Sequence, residues 1–298
     1  MINFEYLKNL NSAQKEAVMY TEGPLLVVAG AGSGKTKVLT SRIVHLIKDK
    51  KIIPNQILSV TFTNKAASEM QNRVIKMLKS GSSGLPWLGT FHSICAKLLR
   101  KHAKAVGLNS NFTIIDTDDQ IRLIKNICKA ENIDVKKLSP RVILAIIDRW
   151  KNKGFYPQEV ILDKRDIYEK TILPIYKIYQ DKLINLNACD FGDLILHCVH
   201  MLENESNIRE IYTNNFKYIL VDEYQDTNFI QSKWLNLLAQ KKNNICCVGD
   251  DDQSIYSWRG AEIKNFLDFD KVYKNTKIIR LEENYRSTQN ILSVASNL

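Results

Sequence analysis

The sequence is poor in the residues that break or staple a chain. It has only 6 prolines and 12 glycines in 298 residues, which excludes a collagen-like or low-complexity protein. It contains no internal repeat and no flexible linker. None of its six cysteines (Cys95, Cys128, Cys189, Cys198, Cys246 and Cys247) forms a CxxC pair, and most lie in apolar stretches, as buried thiols do. A reduced, cytosolic setting fits this usage better than a secreted one. His197 and His200 flank Cys198, but no second ligand pair stands nearby, which argues against a zinc site. No window reaches the roughly 18 consecutive apolar residues of a membrane span. The opening Met1-Ile2-Asn3-Phe4-Glu5 has neither the basic nor the apolar region of a signal peptide. Acidic residues are also short, at 32 Asp and Glu against 42 Lys and Arg, a net charge of +10. A basic excess attracts polyanions, with nucleic acid the first candidate and an anionic membrane the second.

What is present is an alternation. A chain of this length suits about two domains and can bury a core without disulfides. Short apolar runs at Leu25–Ala29, 57–62, Tyr218–Val221, 245–248 and Lys277–Leu281 read as strands buried on both faces. Helical patterns at Lys35–Lys48, 65–79 and 92–104 lie between them, which predicts a parallel α/β sheet with right-handed crossovers. From about 113 to 188 the signals are almost wholly helical. Thr117 with Gln120 suggests a capping box, Ser139-Pro140 an N-cap followed by Pro at the first helical position, and Gly154 and Pro157 a helix break. A helical insertion therefore interrupts the α/β domain.

Two segments carry chemistry. Ala29-Gly30-Ala31-Gly32-Ser33-Gly34-Lys35-Thr36 follows a predicted strand and opens a helix. Its glycines let successive N–H groups face a phosphate, and the helix start adds a positive dipole end. In this pattern Lys35 reaches the β- and γ-phosphates and the Thr36 hydroxyl ligates Mg²⁺. The strict pattern has Gly where this chain has Ala29. Far downstream, Tyr218-Ile219-Leu220-Val221-Asp222-Glu223 is an apolar strand ending in two carboxylates, where α/β sheets bind ligands. Asp222 suits the metal, and Glu223 can orient and deprotonate a water. The pair of segments points to NTP hydrolysis.

These residues and five further segments resemble superfamily 1 DNA helicases of the UvrD/Rep/PcrA type, over essentially the whole chain and in the family's order. Leu10-Asn11-Ser12-Ala13-Gln14 resembles the Q motif, Thr61-Phe62-Thr63-Asn64-Lys65-Ala66-Ala67 motif Ia and Gly89-Thr90-Phe91-His92-Ser93 motif Ib. Asp222-Glu223-Tyr224-Gln225-Asp226 resembles the family's Walker B, the stretch from Val248 to Ala261 motif III, and Leu281-Glu282-Glu283-Asn284-Tyr285-Arg286-Ser287 motif IV. The resemblance implies a RecA-like P-loop domain at 1–112 and 189–280, an all-helical insertion at 113–188, and the start of a second RecA-like domain at 281–298.

The resemblance also implies roles. Gln14 would read the adenine edge and Tyr285 would stack on the base, with ATP and Mg²⁺ as cofactors held by residues 29–36 and Asp222. Gln253 would contact the γ-phosphate and Arg286 would neutralise its charge. Single-stranded DNA would be held by Phe62, Thr63, Asn64, Thr90, His92, Tyr256, Trp258 and Arg259, with the aromatic rings as stacking platforms. The implied activity is ATP-dependent 3′-to-5′ translocation and duplex unwinding in repair or replication, in the bacterial cytosol. The implied partners are single strands, single-to-double-strand junctions and repair or replication proteins, with no membrane. Asp190-Phe191-Gly192-Asp193 departs from the family's Asp-Phe-Asp-Asp segment at Gly192. The chain stops at Leu298, ahead of the family's motifs V and VI, so the expectation is an N-terminal half with weak binding and little unwinding by itself. The alternatives are a truncated DNA-binding module without motor activity and the helicase part of a helicase–nuclease.

Overall fold

The computed structural model describes residues 5–78, 84–162, 167–255, 260–288, 290–291 and 294. They form two compact units. The first comprises Met1–Phe91, Glu210–Thr227 and Leu238–Leu298, the second His92–Arg209 and Asn228–Leu237.

The first unit is built on one six-stranded sheet with helices between its strands. Helix α1 (Ser12–Met19) precedes β1 (Leu25–Ala29), α2 (Lys35–Lys48), β2 (Ile57–Thr61), α3 (Asn64–Leu78) and β3 (Leu88–Thr90). After the second unit the chain returns with β6 (Tyr218–Val221), β7 (Ile245–Gly249) and β8 (Lys277–Leu281). The strand order is β3-β2-β6-β7-β1-β8 and every pairing is parallel. Every residue of β2, β6 and β7 is buried, which is why their sequences are apolar without alternation. The predicted strands appear within a residue of their expected ends. β3 escaped the apolar-run criterion because it has three residues, one of them Gly89. The core gathers Leu25, Val27, Val38, Leu39, Ile43, Met70, Leu220 and Val248. Arg42 is buried among them, and its guanidinium donates to the Ala17 carbonyl at 2.7 Å, pinning α2 to the end of α1.

The second unit is mainly helical, with α4 (Phe91–His102), α5 (Thr117–Ala130), α6 (Pro140–Asn152), α7 (Ile167–Asn185) and α8 (Phe191–Asn204). Among the described residues its sheet is a two-residue parallel pair, β4 (Thr113–Ile114) with β5 (Ala188–Cys189). The predicted insertion 113–188 begins and ends on this pair, while the compact unit extends beyond it. Its core packs Ile124, Ile127, Ile143, Ile147, Trp150, Tyr176 and Tyr179, with Trp150 stacked on Tyr176. Ser139 caps α6 as expected, with Pro140 at its first position. The cap of α5 differs from expectation: Asp116, not Thr117, is the N-cap, and its carboxylate accepts from the Asp119 N–H at 2.9 Å. A carboxylate suits a helix start better than a hydroxyl because the dipole there favours negative charge.

A buried charge cluster joins α6, α7 and α8. Lys151 donates to Asp190 at 2.6 Å and to Asp193 at 2.7 Å, and all three side chains are fully buried. Tyr179 donates to Asp190 and Gln180 to Asp193, while the two aspartates cap α8 through each other's backbone N–H. Burial would pull the Lys151 ammonium down, but the two carboxylates outweigh it and hold it charged. Burial and its neighbour Asp193 push Asp190 up. Gly192 is explained by this cluster, since a Cβ there would meet Lys151 Cδ at 2.9 Å and Asp190 Oδ1 at 3.3 Å. The glycine makes room for the lysine stem. His197 is also buried; desolvation lowers it to about 4, so it stays neutral beside Asp193. Among the described residues no group of three or more His, Cys, Asp or Glu side chains is arranged to hold a metal, and no helix is long and apolar enough to cross a membrane.

Candidate nucleotide and nucleic-acid site

Three adjacent strands of the first unit, β6, β7 and β1, end at the same edge because all are parallel. The loop after β1 is the glycine cradle, β6 delivers Asp222 and Glu223, and β7 delivers Asp250. Gly32 and Gly34 have φ of 76° and 93°, in the left-handed region that glycine tolerates best. Ser33 closes the loop on itself, its hydroxyl donating to the Gly30 carbonyl at 2.7 Å. Lys35 and Thr36 then begin α2.

Lys35 is the central cation. Its ammonium is buried and lies 3.2 Å from Glu223 Oε2, yet it makes no well-directed hydrogen bond. An ammonium has three donors, and burying them unsatisfied is costly unless a ligand completes the set. A phosphate in the cradle would do so. Glu223 sits at φ 50°, ψ 46°, a left-handed conformation that costs a non-glycine residue about 1–3 kcal/mol and aims its carboxylate at this lysine. Burial and the Glu223 charge raise Asp222 to about 7, and burial and Glu223 raise Asp226 to about 6. Asp226 Oδ1 is buried without a hydrogen-bond partner. A divalent cation would relieve this crowding of acid. Thr36 and Asp222 offer one hydroxyl and one carboxylate, the sparse protein share that Mg²⁺ takes when phosphate oxygens and waters fill the rest.

Of the predicted base-binding and γ-phosphate residues, Gln14, Tyr285 and Arg286 meet this loop. Asn284 donates to the Ala31 carbonyl at 2.6 Å and the Tyr285 N–H to the Gly32 carbonyl at 2.9 Å. Tyr285 is 60% exposed, and its hydroxyl accepts from Asn11 at 2.9 Å. Arg286 follows directly, so close that a Cβ on Gly32 would fall 2.6 Å from Arg286 Cβ. Gln14 is buried beneath the cradle. Its amide donates to the Ser33 carbonyl at 2.8 Å and accepts from the Asn11 N–H at 3.1 Å, so its polar atoms are already engaged in bracing the loop. Gln253 lies in the short turn Asp251–Gln253 and donates to Asp250. Ala29 ends β1, fully buried.

The predicted DNA residues divide. Phe62, Thr63 and Asn64 follow β2, and Thr90 ends β3; Thr63 and Asn64 are exposed, Phe62 is partly buried against Phe91 at 5.5 Å, and Thr90 is buried. His92 belongs to the second unit, where its ring meets Phe191 edge-on at 5.8 Å, and burial lowers its pKa. Tyr256, Trp258 and Arg259 lie outside the described residues. Two side chains carry little signal in the sequence that marks them. Phe191 is 50% exposed at the start of α8, and only its place beside an N-cap aspartate hinted at that. Gln225 is buried between Glu223 and Asp250.

A glycine cradle with a buried lysine, two strand-end carboxylates and a parallel sheet define a P-loop NTPase. Residues 10–274 match the family described as UvrD/REP helicase N-terminal domain, and the chain belongs to that family. It is 48% identical over 292 residues to the ATP-dependent DNA helicase PcrA of Staphylococcus epidermidis, a match covering 98% of this chain and 40% of that protein. It is 48% identical over 302 residues to the DNA helicase II of Rickettsia typhi, covering 100% of this chain and 45% of the relative. It is 47% identical over 301 residues to a probable DNA helicase II homolog of Rickettsia conorii, covering 46% of it. The chain therefore spans less than half the length of these curated relatives.

Proposed function

We propose that this chain is the ATP- and single-strand-binding part of a DNA helicase that moves 3′-to-5′ and unwinds duplex at single-to-double-strand junctions during repair or replication. The observation that carries the reading is the buried Lys35 ammonium, facing Glu223 at the mouth of the glycine cradle without a directed hydrogen bond. In this account the backbone N–H groups of 30–34 and Lys35 bind the phosphates. Tyr285 covers the base, Gln14 braces the cradle beside it, and Arg286 and Gln253 address the γ-phosphate. Glu223 takes the proton of the attacking water. Mg²⁺, held by Thr36 and Asp222, would supply charge neutralisation on the phosphate oxygens. Phe62, Thr63, Asn64, Thr90, His92, Tyr256, Trp258 and Arg259 hold a single strand, and the +10 charge draws it in. These 298 residues by themselves are expected to hydrolyse ATP slowly and to unwind poorly.

Steady-state ATP turnover of the purified chain, with and without a single-stranded oligonucleotide, tests the reading. The expected result is Mg²⁺-dependent turnover that the oligonucleotide raises. Saturable oligonucleotide binding with no turnover under either condition would instead mark a DNA-binding module.

A further inference from the structure

We infer that Gln225 is the positioning residue that holds the catalytic carboxylate of Glu223 in register with the turn carrying Gln253. The inference rests on the nucleotide reading above and assigns a part in it to a side chain that touches no substrate. Gln225 is 2% exposed. Its amide works in both directions at once. Nε2 donates to Glu223 Oε2 at 3.0 Å, and Oε1 accepts from the Asp250 N–H at 3.1 Å. Asp250 is the N-cap of the turn Asp251–Gln253 and accepts from both the Asp252 N–H and the Gln253 amide. A continuous run of hydrogen bonds thus connects Gln253, Asp250, Gln225 and Glu223. A buried chain of this kind fixes orientation because each unmade bond would cost a desolvated polar group.

The approach is close enough to constrain the backbone. A Cβ on Gly249 would fall 2.6 Å from Gln225 Oε1 and 2.7 Å from a Phe266 ring carbon, so the strand end must be glycine for the amide to reach Asp250. Both side-chain ties of Glu223, from Lys35 and from Gln225, engage Oε2, which leaves Oε1 for a water. A phosphate in the cradle draws Lys35 away from Glu223. Gln225 is then the remaining tie on the base at the moment the base acts, and the state of the Gln253 turn reaches the base through it.

The test compares Gln225→Met, which keeps the volume and removes both hydrogen bonds, with Gln225→Glu, which keeps the acceptor for Asp250 N–H and loses the donor to Glu223. In ATP turnover both variants should lose kcat on the order of 10- to 100-fold, the scale of a misplaced catalytic group. KM for ATP and the affinity for a non-hydrolysable analogue should stay within about twofold, since no ground-state contact is removed. A kcat near wild type in both variants, or a loss carried by KM, overturns the inference. Hydrogen exchange at the Asp250 amide gives a second arm that needs no turnover. It should quicken about tenfold or more in Gln225→Met and stay slow in Gln225→Glu, as expected when a buried amide loses or keeps its acceptor. If wild type itself has no turnover, the nucleotide-hydrolysis reading fails while this arm still decides the tie: unchanged Asp250 exchange in Gln225→Met overturns it.

Discussion

Glu223→Gln should lower ATP turnover on the order of 100- to 10,000-fold, the range associated with losing a general base, with nucleotide affinity nearly intact. The substitution is close to isosteric. Its amide oxygen can still accept from Gln225 and still face Lys35, so the cradle and the run of hydrogen bonds to Asp250 survive. What it removes is the ability to take a proton from water. Asp222 is not expected to stand in for it, being 5% exposed and proposed to hold Mg²⁺. Nor is Asp226, whose buried Oδ1 has no hydrogen-bond partner to steer it. Single-turnover hydrolysis beside a binding titration separates the two effects. A variant that hydrolyses at the wild-type rate would remove Glu223 from the chemistry and leave it a structural partner of Lys35.

Lys151→Met should destabilise the helical unit by about 3–5 kcal/mol, the range found when one partner of a buried ion pair is removed. The reason is asymmetry. In the native unit one ammonium serves two carboxylates at 2.6 and 2.7 Å, with Tyr179 and Gln180 filling further acceptor positions. Without the lysine, Asp190 and Asp193 face each other in a dry core and at least one must take up a proton. The helix they cap, α8, then loses negative charge at its N-terminus. Urea unfolding of wild type and variant reads the difference, and adding Asp190→Asn to Lys151→Met should recover part of the loss. An unchanged midpoint in the single variant would show that the cluster carries no stability. Gly192→Ala should behave as a mild form of the same lesion, because its Cβ presses on the lysine stem.

The parts of the fold that were legible are those whose signal is local. The cradle, Lys35 and the start of α2 are set by consecutive residues, and α2 runs from Lys35 to Lys48 as its periodicity predicts. The buried strands announce themselves because parallel strands covered on both faces must be apolar throughout. Asp222 and Glu223 were legible because carboxylates that end an apolar strand have few other uses. What was not legible depends on residues far apart in sequence. Lys151 reaches Asp190 and Asp193 across 39 and 42 positions, and nothing in a single helix pattern marks it as buried. Gln225 meets Asp250 across 25 positions, through two strands that only the sheet order makes neighbours. Gln14 shows both cases: its bond from the Asn11 N–H is the local capping box at the start of α1, while its bond to the Ser33 carbonyl comes from the packing of α1 on the glycine loop.

Lys35 tests the account most directly, because every role assigned around the cradle assumes that its ammonium is reserved for phosphate. The measurement is a calorimetric titration of a non-hydrolysable ATP analogue with Mg²⁺ into the wild-type chain and into Lys35→Ala. The account predicts saturable, Mg²⁺-dependent binding to wild type, weakened about tenfold or more in the variant, the loss expected for one charge-assisted contact of roughly 1.5–3 kcal/mol. Equal affinity in the two proteins would mean that the nucleotide binds elsewhere, and the site described above would not be the one that works.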